Sequence, residues 1–104
     1  MVDLKAVESF EWDRGNTDKS FKKHGITPRE AEEVFLDEQL HVVDDVKHAE
    51  KEARFIAVGK TVEEKILFVV FTLRGDKVRI ISARKANKKE RDVYGKKVKE
   101  NPKV

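Results

Sequence analysis

Ile66-Leu67-Phe68-Val69-Val70-Phe71 is the longest uninterrupted apolar run in a chain whose residues are 41% charged. An apolar run of this length, bounded by charge, predicts a strand covered on both faces and therefore central in its sheet. Gly75-Asp76 follows closely and suits a two-residue hairpin turn with glycine first. Val78 to Ala83 is then the returning strand. With that turn, Arg74 pairs with Lys77, Thr72 with Arg79 and Val70 with Ile81. Side chains alternate across a strand, so Leu67, Val69, Phe71, Leu73, Val78 and Ile80 share one face, which helices should cover. Val70, Thr72, Arg74, Lys77, Arg79 and Ile81 share the other, which is partly open and cationic at one end. Arg79 in mid-strand is costly to bury unpaired, so it is expected either exposed or held by a carboxylate. Strict alternation turns Arg84 to the apolar face, unless a bulge or the strand end redirects it.

The other elements carry clear start and stop signals. Phe10 and Trp12 alternate with acidic residues, which predicts a short strand with Trp12 as a core anchor. A helix is expected after Asn16 or Thr17, closing at Lys23-His24-Gly25, where glycine supplies a positive φ. Thr27-Pro28-Arg29-Glu30 reads as a capping box with proline in the first turn. That helix runs to about Leu36, and Ala31, Val34 and Phe35 form its buried stripe. Residues 39–44 predict a strand, 45–52 a charged connection, and 54–60 a further strand. Arg54 and Lys60 share a face of that strand, but a one-residue change of register decides which sheet face they join. Asn87 and Glu90 cap a last helix that continues through Tyr94 toward Lys99, with Asn101-Pro102 ending it. The expected architecture is α+β: a small antiparallel sheet with helices packed on one face.

The 104 residues suffice for one domain, read as residues 1–104 with a basic C-terminal helix at about 87–100. Cysteine is absent, which removes disulfides, thiol chemistry and cysteine-based zinc sites. The opening residues Met1–Lys5 hold no apolar signal core, and no stretch approaches the roughly 20 apolar residues of a membrane span. A soluble cytoplasmic protein without membrane partners is the expectation. Charge is unevenly placed: residues 1–73 carry −5, and residues 74–104 carry +8. A basic last third attracts polyanions, nucleic acid above all. The plainer reading is a solvated lysine-rich helix whose charge suits the helix dipole.

No nucleophile triad and no phosphate loop are present. What remains is a set of strand-borne arginines, several lysines and three histidines (His24, His41, His48). Such a set can run RNA cleavage without a metal or other cofactor. The 2′-hydroxyl loses a proton, the leaving 5′-oxygen gains one, and arginines stabilise the extra charge on the pentacoordinate phosphate. Arg79 and Arg84 are the candidates for that contact, against a structural alternative of ion pairs. His24 reads first as a helix-end cap, and His41 and His48 as surface residues.

The residues also resemble a known family. The pattern is Phe10-Glu11-Trp12-Asp13, Lys22-Lys23-His24-Gly25-Ile26, and Glu30-Ala31-Glu32-Glu33-Val34-Phe35 with Asp37. It continues with Arg54-Phe55-Ile56-Ala57-Val58-Gly59-Lys60, Val70-Phe71-Thr72-Leu73-Arg74 and Val78-Arg79-Ile80-Ile81-Ser82-Ala83-Arg84-Lys85-Ala86, then Glu90-Arg91 and Tyr94. Over about residues 10–94 this is similar to the BrnT toxins of type II toxin–antitoxin systems. The resemblance implies a fold like that of the RelE-type ribonuclease toxins. It implies an RNA-cleaving toxin that inhibits translation, and a BrnA-like ribbon-helix-helix antitoxin through which alone operator DNA is reached. By the resemblance, Arg79 and Arg84 stand at the phosphate, and Lys60 stands where the family often has arginine. His24 becomes the candidate for proton transfer. Arg54, Arg74, Lys85, Lys88, Lys89 and Arg91 are the expected RNA-backbone contacts. The rival reading is a non-enzymatic module that binds nucleic acid or a partner.

Overall fold

Among the described residues, five strands form one sheet in the order β1-β5-β4-β3-β2, with β4 in the middle. The computed structural model describes residues 9–12, 25–45 and 53–100. The helix expected before Gly25, together with His24 and His48, lies outside the described residues. The strands are β1 (Ser9–Trp12), β2 (His41–Asp44), β3 (Phe55–Lys60), β4 (Ile66–Arg74) and β5 (Lys77–Lys85). The helices are α1 (Pro28–Glu33), continued by a 3-10 turn at Val34–Leu36, and α2 (Lys88–Glu100). β2 to β5 are antiparallel neighbours, whereas β1 runs parallel to β5. A parallel partner needs a long return connection, and here that connection holds everything between β1 and β5. Among the described residues no helix is long and apolar enough to cross a membrane.

The central apolar run does what its pattern requires. Leu67, Val69 and Phe71 of β4 are fully buried, with Val78 and Ile80 of β5 beside them. α1 closes this face. Its start is the expected capping box: Glu30 N donates to Thr27 Oγ1, and Thr27 N donates to Glu30 Oε1. The remaining Glu30 oxygen accepts from Lys65 Nζ at 2.8 Å, which ties α1 to the β3–β4 turn. Lys65 and the Thr27 amide hold the Glu30 carboxyl below its ordinary pKa. Ala31 and Val34 are buried as predicted, and Phe35 meets Phe71 edge-on at 5.0 Å.

α1 sits so close to β3 that only glycine fits beneath it. A Cβ on Gly59 would lie 2.7 Å from Val34 Cγ1, 2.9 Å from Leu40 Cδ1 and 3.1 Å from the Val34 carbonyl oxygen. Gly59→Ala should therefore push the 3-10 turn off the sheet and cost about 1–3 kcal/mol, the usual range for overpacking. Urea unfolding at an unchanged m-value measures it. A midpoint equal to wild type would mean that the turn yields freely.

α2 crosses the end of the sheet where β5 and β3 finish. It begins after Ala86, whose amide still donates to Ile66 O of β4. Further along, the Tyr94 hydroxyl donates to Asp37 Oδ2, and Lys97 Nζ donates to Leu40 O at 2.8 Å. The Asp37 carboxylate also accepts from Lys60 N and Gln39 N, at 2.8 and 2.9 Å. This half-buried carboxylate thus joins α2, β3 and the turn before β2. Burial and the neighbouring Asp37 raise the Tyr94 hydroxyl far above its ordinary pKa, so it remains a donor.

Candidate functional site

The β4–β5 ladder holds the expected pairs Arg74–Lys77 and Thr72–Arg79. The expected pair Val70–Ile81 does not form. Phe71 pairs with Ile80 and Val70 with Ser82, so Ile81 is an extra residue in β5. A bulge of this kind changes the parity of everything after it. Ala83 consequently pairs with Val69 and is buried at 1% exposure, while Arg84 pairs with Phe68 on the opposite face. Without the bulge, Arg84 would be driven into the core. With it, Arg79 and Arg84 share the face away from α1. Arg79 lies level with Thr72 and Arg84 level with Phe68, so their Cα atoms are about 13 Å apart along the sheet.

The same register settles β3. Ile56 pairs with Val70, Val58 with Phe68 and Lys60 with Ile66, so Lys60 joins the Arg84 face. Arg54 has the same parity, one position before β3. The cationic positions fall into two groups. Arg54, Arg79, Arg74 and Lys77 gather toward the hairpin, around the buried Thr72, whose hydroxyl donates to Ala53 O at 2.6 Å. Arg84 and Lys60 lie toward α2. Between them runs the apolar row of Ile56 and Val70, half-buried, with Val43 of β2 exposed at its edge. Lys85 pairs with Leu67 and so belongs to the opposite parity, exposed at the strand end. Lys88 and Lys89 are exposed on the first turn of α2. Arg91 spends one donor closing the same turn, from Nη1 to Ala86 O at 2.7 Å.

Arg84 is held from two sides. Its guanidinium lies 3.9 Å over the Phe68 ring. Nη1 and Nη2 each donate at 2.8 Å to one oxygen of Glu90. Glu90 is at the same time the expected cap partner of Asn87, with both bonds of that box at 2.8 Å. The Arg84 fork holds the Glu90 carboxyl below its ordinary pKa, and the Asn87 amide adds to this. Sequence reasoning placed Glu90 in the cap but missed its second role, since a bulge was needed to bring Arg84 alongside.

His41 also departs from the expectation of a surface residue. It is half-buried and pairs with Val58, in the row that continues through Phe68 to Arg84. Burial lowers its pKa, and Lys97 lowers it further, both of which favour the neutral imidazole. An alternation argument for β2 could have found it, because Val42 faces the core and His41 must then face away.

The five-stranded sheet closed by α1 has a counterpart among known folds. The solved structure of the Brucella abortus ribonuclease toxin BrnT matches with a TM-score of 0.61 and 24% identity, over 79% of this chain and 100% of that one. That likeness shows the fold. No curated protein matches the chain. The family model described as the ribonuclease toxin, BrnT, of type II toxin–antitoxin systems matches residues 12–90, and so takes in the bulge, both arginines and Glu90. The chain belongs to this family of ribonuclease toxins, which brings with it an RNA substrate and an antitoxin partner.

Proposed function

We propose that this protein is a metal-independent endoribonuclease toxin that inhibits translation by cleaving RNA on the sheet face bearing Arg84. The bulge at Ile81 supports this reading best. It is a local departure from regular pairing whose effect is to carry an arginine from the core side to the cationic side. In the reaction, the 2′-oxygen attacks the adjacent phosphorus and loses its proton, while the P–O5′ bond breaks and the 5′-oxygen takes up a proton. Arg84 stabilises the charge that develops on the phosphate. Arg79, about 13 Å away along the sheet, is better placed for a neighbouring phosphate of the same strand. Arg54 and Arg74 extend that track, and Lys60 holds the backbone as a point charge. Lys85, Lys88, Lys89 and Arg91 add to the attraction. Proton transfer falls to His24, from the family resemblance; His41 lies three strands from Arg84, about 14 Å across the sheet, and is too distant for the same phosphate.

The antitoxin in this reading is a BrnA-like ribbon-helix-helix protein that covers the cationic face and alone touches operator DNA. The engagement of Arg84 by Glu90 is the observation that favours the rival reading, a binding module whose arginine is structural. Controlled expression tests the proposal. Growth should stop, and total RNA should break down within the arrest. Purified protein should cleave RNA equally well with and without EDTA. Soluble, folded protein that neither arrests growth nor cleaves RNA would favour the binding module. Cleavage abolished by EDTA would overturn metal independence.

A further inference from the structure

Arg84 meets its carboxylate end-on, and this decides which of its donors remain. Glu90 takes Nη1 and Nη2, one oxygen each, and Nη1 also reaches Lys85 O at 3.1 Å. Among the described residues, nothing engages the Nε–Nη2 edge. That edge keeps two parallel N–H donors, the fork that suits two oxygens of a phosphate. Side-chain exposure is 36% for Arg84 and 19% for Glu90, so the carboxylate sits behind and the guanidinium in front. Phe68 closes one face of the guanidinium plane. Glu90 itself has little freedom, because its Oε1 accepts from the Asn87 amide and its own amide donates to Asn87 Oδ1.

We infer that Glu90 is a positioning residue which, with Phe68, holds the Arg84 guanidinium so that its Nε–Nη2 edge is presented to the RNA phosphate. This rests on the proposed place of Arg84 at the reacting phosphate. A loose arginine loses its rotamer freedom when the phosphate arrives. A clamped one has lost it on folding, and its donors are already aimed where charge will develop. The carboxylate neutralises part of the local charge, and the exposed Lys88 and Lys89 on the adjoining turn restore it. The arrangement also couples the site to α2, since the carboxylate that aims Arg84 caps that helix.

The test is steady-state RNA cleavage by the full chain, read as kcat and KM beside a thermal melt. Glu90→Gln keeps the shape and the cap acceptor but breaks one arm of the fork. It should lower kcat about tenfold and leave KM within about twofold, the signature of a contact that matters in the transition state. Thr27→Ala, which loosens the cap of α1 away from the fork, should lower the melting temperature and leave kcat unchanged. In an Arg84→Ala background, Glu90→Gln should lower kcat no further, whereas a purely structural Glu90 would act equally in both backgrounds. Phe68→Leu, which keeps the apolar volume but removes the ring, should also lower kcat, and it carries the test if Glu90→Gln fails to fold. Wild-type kcat in Glu90→Gln or in Phe68→Leu, with the kcat of Arg84→Ala lowered about 10²–10³-fold, overturns the inference alone. Full activity of Arg84→Ala overturns it together with the placement of Arg84.

Discussion

Arg84→Ala should abolish growth arrest and RNA breakdown while the protein stays folded. The guanidinium is fixed both at its plane, by the Phe68 ring, and at its end, by Glu90. Removing a preorganised donor from a developing charge typically costs about 10²–10³ in kcat. Its structural cost is smaller. A partly exposed ion pair contributes about 0–1 kcal/mol. The ring contact adds about 0.5–1 kcal/mol at such a site. Glu90 keeps the Asn87 amide after the substitution, so it is not stranded. A loss of about 1–2 kcal/mol leaves a domain of ordinary stability, about 5–15 kcal/mol, well populated. The melting temperature should fall by roughly 4–16 °C. Growth arrest as strong as wild type, from a variant shown to be folded, would remove Arg84 from the site.

The largest loss of stability is expected from Phe71→Ala. Phe71 is fully buried at the centre of β4, with Phe35 at 5.0 Å and Phe55 at 5.5 Å. Phe10 joins through Phe35 at 5.5 Å, so the four rings together link β1, the 3-10 turn, β3 and β4. Truncation removes the ring's transfer free energy and leaves a cavity that three elements would have to move to fill. Such changes cost about 3–5 kcal/mol. In urea the midpoint should shift down with little change in m. A loss below about 1 kcal/mol would mean that the neighbouring rings collapse into the space, and that Phe71 is not the keystone its burial suggests.

These two residues also separate what was legible in the sequence from what was not. Phe71 could be named from the apolar run alone, since six uninterrupted apolar residues flanked by charge have little choice but a central strand. The caps were equally legible, because Thr27 with Glu30 and Asn87 with Glu90 act over three residues. The hairpin register near Gly75 was legible for the same reason: a tight turn dictates its nearest pairs, Arg74–Lys77 and Thr72–Arg79. Six residues from the turn, local rules no longer decide. Whether β5 pairs regularly or bulges at Ile81 depends on two alternatives that differ only in where Ala83 and Arg84 end up. Burying Ala83 against Val69 and releasing Arg84 to Phe68 and Glu90 favours the bulge, and those partners come from β4 and α2.

The sequence by itself determined the central strand, the capped helices, the hairpin and the basic last third, because each follows from periodicity, turn chemistry or charge within a few residues. Tertiary structure alone decided the parallel pairing of β1 with β5, the face on which Arg84 and Lys60 lie, the half-buried place of His41, and the two carboxylates, Asp37 and Glu90, that bind α2 to the sheet. Each of these joins residues distant in the chain or turns on a choice of register. Burial and hydrogen-bond satisfaction make that choice only when all the strands are assembled.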